Sequence, residues 1–198
     1  PRKSLIIFDE VQKCPRAREA IKALVEDHRF DYIETGSLIS IRKNVMDIVI
    51  PSEEDSIEMY PMDFEEFLWA MGNDMMAEYI DKQFEAKKPM GDFHREAMRL
   101  FRQYLIVGGM PQAVDEYVKS KDFDRVDAVK RQILRLYRND IKKYGGGATS
   151  KISALFESIP GQLQKGEKKF RLSELDTDAR MRDYDEAFFW LNDACLAN

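Results

Sequence analysis

Residues 5–10 read Leu-Ile-Ile-Phe-Asp-Glu, four large apolar side chains running straight into two adjacent carboxylates. The run Ser4 to Phe8 is short and rich in β-formers, the pattern of a strand inside a parallel sheet with both faces buried. Pro15 sits where a first helical turn accepts proline, and Ala20, Ile21, Leu24 and Val25 make one apolar stripe of a helix ending near Asp27. Phe30 to Glu34 reads as the next strand, closed by Thr35-Gly36-Ser37. Strand, helix, strand is the crossover unit of an open α/β sheet, in which ligands bind beyond the carboxyl ends of the strands. Asp9, Glu10, Thr35 and Ser37 all fall at those ends.

Two readings of the acidic pair follow. A buried strand that delivers adjacent carboxylates to the ligand edge matches the Walker B arrangement of P-loop ATPases, where the Asp holds Mg²⁺ and the Glu orients the attacking water. Alternatively, Asp9 and Glu10 begin a loop and cap the following helix near its N-terminus, where negative charge is favoured.

Composition narrows the setting. A chain of 198 residues with 44% hydrophobic content can bury a substantial core. A formal net charge of -5 gives no global basic field, so contact with nucleic acid needs a local patch. Cys14 and Cys195 lie far apart with no cysteine partner nearby, which is neither a zinc framework nor a disulfide scaffold and suits a reducing cytoplasm. His28 and His94 are isolated as well and read as ordinary helix residues rather than ligands. No apolar run approaches the ~20 residues of a membrane span, so no membrane partner is expected. Pro1-Arg2-Lys3 opens the sequence without an initiator methionine, which predicts a piece cut from a longer protein.

Downstream, Ile57 to Tyr60 reads as a strand, and Asp63 with Glu66 has capping-box spacing ahead of a helix that carries Phe64, Phe67, Leu68 and Met71. Asn73 to Lys88 continues as helix, and Lys87 to Gly91 marks a boundary because Pro89 and Gly91 break it. Further helices are expected over Phe93 to Val107, from Pro111, and over Asp122 to Tyr144, where Gly145-Gly146-Gly147 stops the helix. Gly108-Gly109-Met110-Pro111 is a tight corner between helices rather than a phosphate loop. The last stretch reads as three helices, Lys151 to Ile159, Ser173 to Asp178 and Asp183 to Leu196, the last two at helix-turn-helix spacing. These breaks divide the chain into 1–91, 92–147 and 148–198. The fold class is therefore α/β plus mainly α.

LIIFDEVQKCP, YIETGSL, MYPMDFEEFLWA and YLIVGGMPQAV, in that order and spacing, resemble the landmarks of predicted AAA-type P-loop ATPases that pair an AAA_14 domain with a DUF4143 C-terminal region. The resemblance implies the distal part of a parallel ATPase sheet over 1–91, then a helical lid or linker over 92–147 and a truncated winged-helix domain over 148–198. It implies Asp9 as the Mg²⁺ residue, Glu10 as the catalytic carboxylate, and Ser37 or Thr35 as the polar sensor of the γ-phosphate. Gln12 is a supporting residue, and so is Arg42, the nearest substitute for a Gly-Arg pair that many relatives carry and this chain lacks. No G-x-x-x-x-G-K-S/T phosphate loop occurs anywhere in the 198 residues. Without its backbone amides and lysine this chain alone is expected neither to hold ATP tightly nor to hydrolyse it.

Three functional classes remain at this point. One is a fragment of a Mg²⁺-dependent ATPase whose extension couples nucleotide state to a protein partner or to self-association. Another is a nucleic-acid-binding winged-helix module of an ATPase, with DNA as the ligand and, by the resemblance, a link to a nuclease-like domain, resting on Lys165, Lys168, Lys169 and Arg171, although the final helix begins with Asp183, Asp185 and Glu186, which repel phosphate. The third is a purely structural role in which Asp9 and Glu10 cap a helix.

Overall fold

A computed structural model describes residues 4–36, 55, 57–165, 169–177 and 179–196. Contacts group the chain into two units, one formed by 57–137 and the other by 1–56 with 138–198. These divisions fall at other positions than the Pro- and Gly-rich stretches at 87–91 and 145–147.

In the unit that holds the chain's start, β1 (Leu5–Phe8) pairs in parallel with β2 (Asp31–Glu34), Leu5 opposite Asp31 and Phe8 opposite Glu34. A 3₁₀ turn at Val11–Lys13 and α1 (Pro15–Glu26) connect them. His28 lies just past α1 in a left-handed backbone conformation, outside the helix expected to contain it. Alternation along each strand separates two faces. Ile6, Phe8, Tyr32 and Glu34 are partly covered, whereas Leu5, Ile7 and Ile33 are exposed, Ile7 to 58%. Burial of β1 on both faces is thus not met among the described residues, because two strands and one helix can cover only one face.

The same unit contains a separate helical core. It is formed by the C-terminal end of a long helix, Phe123–Tyr144, and by the helices Thr149–Gln164 and Met181–Asp193. Ile141, Ala148, Ile152, Leu155, Ala187 and Leu191 pack together as its core. Arg138 donates two hydrogen bonds to Glu157, 2.5 and 3.0 Å long, and the guanidinium holds that carboxyl below its usual range. Gln162 is buried and spends its amide on the backbone of Arg171, donating to the carbonyl at 2.9 Å and accepting from the N–H at 3.1 Å.

The expected helix at Ser173 to Asp178 is only a 3₁₀ turn, Leu172–Glu174. Leu172 and Leu175 anchor it in the core, and Asp176 and Thr177 favour local side-chain bonds over a continuing helix. A helix-turn-helix of two α-helices is therefore not seen among the described residues. Phe189 is 70% exposed, since the last helix buries a narrow stripe through Ala187 and Leu191.

In the unit of 57–137 the chain forms α2 (Phe64–Ala70), α3 (Asp74–Glu85), α4 (His94–Val107), α5 (Pro111–Ser120) and the first part of α6 (Phe123–Tyr144). The helices at Thr149–Gln164 and Met181–Asp193 are then α7 and α8. Asp63 and Glu66 close the capping box at the start of α2, each carboxylate accepting from the other's backbone N–H at 2.9 Å. Phe67, Val107, Ala113, Val114, Tyr117 and Val126 form one buried cluster, and Leu68, Ala77 and Leu100 a second. The stripe read in the sequence therefore faces the core as helical spacing requires. Ile57 to Tyr60 is not a strand. Ile57 is 83% exposed, and among the described residues no neighbouring strand offers the ladder its backbone would need. Among the described residues no helix is long and apolar enough to cross a membrane.

The double glycine after α4 has two separate jobs. Gly108 takes φ 80° and ψ -178°, a region open essentially to glycine alone. Gly109 must lack a side chain because a Cβ there would lie 2.1 Å from the Met62 carbonyl oxygen. That closeness lets the Met62 N–H donate to the Gly109 carbonyl at 2.7 Å, while the Tyr104 hydroxyl donates to the Met62 carbonyl at 3.0 Å. Gly109→Ala is expected to destabilise the protein by about 1–3 kcal/mol, the usual range for overpacking. Urea unfolding measures this, and an unchanged midpoint would contradict the close approach.

Candidate functional site

The site begins where β1 and β2 end. The ladder runs one step beyond the strands, with the Thr35 N–H donating to the Phe8 carbonyl and the Val11 N–H donating to the Thr35 carbonyl, each at 2.9 Å. Between those bonds Glu10 adopts φ 54° and ψ 47°, a left-handed conformation uncommon for any residue with a side chain. This bend turns the chain off the strand into the 3₁₀ turn and aims the Glu10 N–H at the Thr35 hydroxyl, 3.2 Å away. The same hydroxyl donates to Asp9 Oδ1 at 2.5 Å. One threonine oxygen thus accepts from the Glu10 amide and donates to the Asp9 carboxylate, and bonds to an ionised acceptor are the shorter and stronger kind.

Asp9 and Thr35 are exposed, at the register position that follows Phe8 and Glu34. Glu10 is half-exposed, and its carboxylate lies 3.6 Å from Lys13 Nζ, a surface pair that adds little stability. Capping does not account for the acidic pair. The N-cap of α1 is Cys14, the N-cap of the 3₁₀ turn is Glu10, and neither position makes a side-chain cap bond.

Thr35 therefore joins Asp9 and Glu10 in one constellation. Ser37 and Arg42 lie outside the described residues. Gln12 belongs to the 3₁₀ turn at Val11–Lys13, and its side chain is likewise outside them. In the basic stretch, Lys165 pairs with Glu174 at 2.7 Å, Lys169 is exposed, Arg171 binds Gln162 through its backbone, and Lys168 is not described. Lys165 thus has its charge offset from within, and α8, which opens at Met181, carries Asp183 in its first turn beside Arg182.

Sequence reasoning missed Arg18 and Glu34. Arg18 is buried in α1 and its guanidinium donates to the Glu34 carboxylate at the end of β2. A signal existed, because Arg18 stands three residues before Ile21 and seven before Val25, on the apolar stripe itself.

Among the described residues no group of three or more His, Cys, Asp or Glu side chains is placed to hold a metal ion by itself. Magnesium asks less of a protein, since one or two carboxylates commonly suffice beside water and substrate phosphates. The Asp9 carboxylate and the Thr35 hydroxyl are hard oxygen donors at an open sheet edge, and they fit that requirement.

Residues 98–198, just over half of the chain, match a family described as a domain of unknown function (DUF8612), and the chain belongs to that family. Residues 1–68 match an AAA domain (AAA_14), which supports an AAA-type ATPase family for that part. The C-terminal match is thus to DUF8612 where the resemblance anticipates DUF4143. No curated protein and no solved structure matches the chain.

Thr35→Val keeps the β-branched shape and removes the hydroxyl. Hydrogen exchange at the Glu10 amide is expected to quicken, while the Thr35 amide, bonded to Phe8, keeps its protection. Equal protection of Glu10 in both proteins would show that the bridging hydroxyl is not what holds it.

Proposed function

We propose that residues 1–68 carry the acidic and sensor strands of a Mg²⁺-dependent nucleoside triphosphatase, ATP being the expected substrate, and that the helical remainder responds to nucleotide state or docks a protein partner. The observation that carries this reading is the Thr35 hydroxyl shared between Asp9 and Glu10 at the carboxyl ends of two parallel strands. That edge is where open α/β sheets bind ligands. The AAA match over the same residues supports it.

Asp9 would hold the magnesium ion, with its carboxylate orientation set by the bond from Thr35. Magnesium bound with the triphosphate would draw off the charge that develops on the phosphate oxygens. Glu10, the other carboxylate at this edge, would orient a water and accept its proton. Ser37, two residues on, would offer its hydroxyl to the terminal phosphate, whereas the single proton of Thr35 goes to Asp9, so Thr35 would act by orienting that carboxylate. A phosphate-binding loop is not among the 198 residues, so the reading places that loop on other polypeptide. A winged-helix identity for 148–198 and a DNA ligand have less support, because Lys165 is ion-paired and the described residues 173–177 hold only part of a 3₁₀ turn.

In a polypeptide that joins the chain to its phosphate loop, Glu10→Gln is expected to lower ATP turnover by ~100-fold or more, in line with general-base contributions, while ATP stays bound. Equilibrium binding and phosphate release measure the two effects separately. Turnover equal to that of the unaltered protein would remove Glu10 from the chemistry.

A further inference from the structure

We propose that this chain associates with a second copy of itself through two complementary charged stripes, the acidic outer face of α3 on one copy meeting the basic outer face of α4 on the next. Asp74, Glu78, Asp81 and Glu85 recur along α3 at steps of four, three and four residues, which puts them on one side of the helix. Arg95, Arg99 and Arg102 recur along α4 at steps of four and three. All seven residues are exposed. The charge is segregated as well, since α3 sets four acids against Lys82 alone and α4 sets three arginines against Glu96 alone. Because the acidic steps read the same from either end, three acids of one stripe match the three arginines of the other whether the helices run parallel or antiparallel.

The stripes turn away from each other within one molecule. Met76, Ala77 and Ile80 of α3 share a buried cluster with Leu100 of α4, and each stripe lies on the solvent side of its own helix. Among the described residues, Glu78 pairs with Lys82 at 3.1 Å and Arg99 with Glu96 at 2.6 Å, whereas Asp74, Asp81, Glu85, Arg95 and Arg102 have no ion pair. Exposed pairs within one helix contribute little and yield readily to a partner. Apolar surface adjoins both stripes. Phe84, 81% exposed, borders the acidic one, and Ile106, 50% exposed, continues the basic one at the next helical step. Burying these side chains adds to the charge match. A foreign partner would have to be basic for α3 and acidic for α4; a second copy of this chain is both, at the same spacing. Contact between unlike faces leaves one stripe free at each end, so the association is head to tail and adds further copies. It uses no residue of the β1–β2 edge and does not rest on the nucleotide reading.

The test measures molecular mass by analytical ultracentrifugation on the whole chain, without nucleotide. The unaltered protein is expected to pass from monomer to dimer and larger species as its concentration rises, and to return towards monomer as salt approaches ~1 M, where the screening length is about 3 Å. One variant neutralises the acidic stripe by Glu78→Gln, Asp81→Asn and Glu85→Gln, and another the basic stripe by Arg95→Gln, Arg99→Gln and Arg102→Gln. Each alone is expected to associate ~10-fold more weakly or worse, the combined effect of three exposed pairs. An equimolar mixture of the two is expected to regain the native affinity and stop at the dimer, because it joins the intact basic stripe of one variant to the intact acidic stripe of the other and leaves neutral faces outside. That recovery also shows both variants to be folded. The proposal is overturned by an unaltered protein that stays monomeric up to ~1 mM, the weak end of measurable affinity. It is overturned equally by native-strength association of either variant alone, or by a mixture that stays monomeric or grows past the dimer. None of these results bears on the role of Glu10, and failure of Glu10 in turnover leaves them standing.

Discussion

One hydroxyl organises the edge of the sheet. Thr35 Oγ1 donates to the Asp9 carboxylate and accepts from the Glu10 amide, and both bonds depend on Glu10 leaving the strand through a left-handed turn. Non-glycine residues rarely adopt that conformation, and where they do the surrounding structure must over-determine it. Here the restraints are the two ladder bonds to Phe8 and Val11 and the ion pair one residue upstream. Rigid placement of two adjacent carboxylates and a hydroxyl at an open edge has little value for stability, since all three are reached by water. Its value lies in holding oxygen donors where a charged ligand can meet them.

The helical remainder gives the family boundaries a physical meaning. Met62, Phe67 and Leu68 belong to the segment of AAA type, while Tyr104, Val107, Gly109 and Tyr117 belong to the DUF8612 segment. Yet Phe67 packs in one buried cluster with Val107 and Tyr117, and the Met62 backbone is clasped by Gly109 and Tyr104. The two matched segments share a core inside 57–137. The last residues of one family's match are thus a structural part of the other's core.

Features that depend on local periodicity were legible in the sequence. The stripe of α2, the helices α4 and α6, the capping box at Asp63 and the corner at Gly108-Gly109 follow from spacing and backbone sterics alone. Asp9, Glu10 and Thr35 were legible because β-strand ends converge in a parallel pair. Features that depend on partners were not. Ile57 to Tyr60 has the composition of a strand, but a strand exists only with a neighbour to complete its hydrogen bonds. Leu172 and Leu175, just before and within the expected helix of Ser173 to Asp178, have helical spacing, but among the described residues they hold only a turn. Arg18 and Glu34 are sixteen residues apart, and a charged residue on an apolar stripe reads as an error until its partner is located.

The most direct measurement of the central claim is paramagnetic line broadening by Mn²⁺·ATP, with Mn²⁺ in the place of Mg²⁺, in a polypeptide carrying both this chain and the phosphate-binding loop. The account predicts broadening centred on the amides of Asp9, Glu10 and Thr35, falling off along β1 and β2 and leaving Lys165 and Lys169 sharp. Broadening centred elsewhere, with those three amides unaffected, would contradict the assignment of this sheet edge as the metal–nucleotide site.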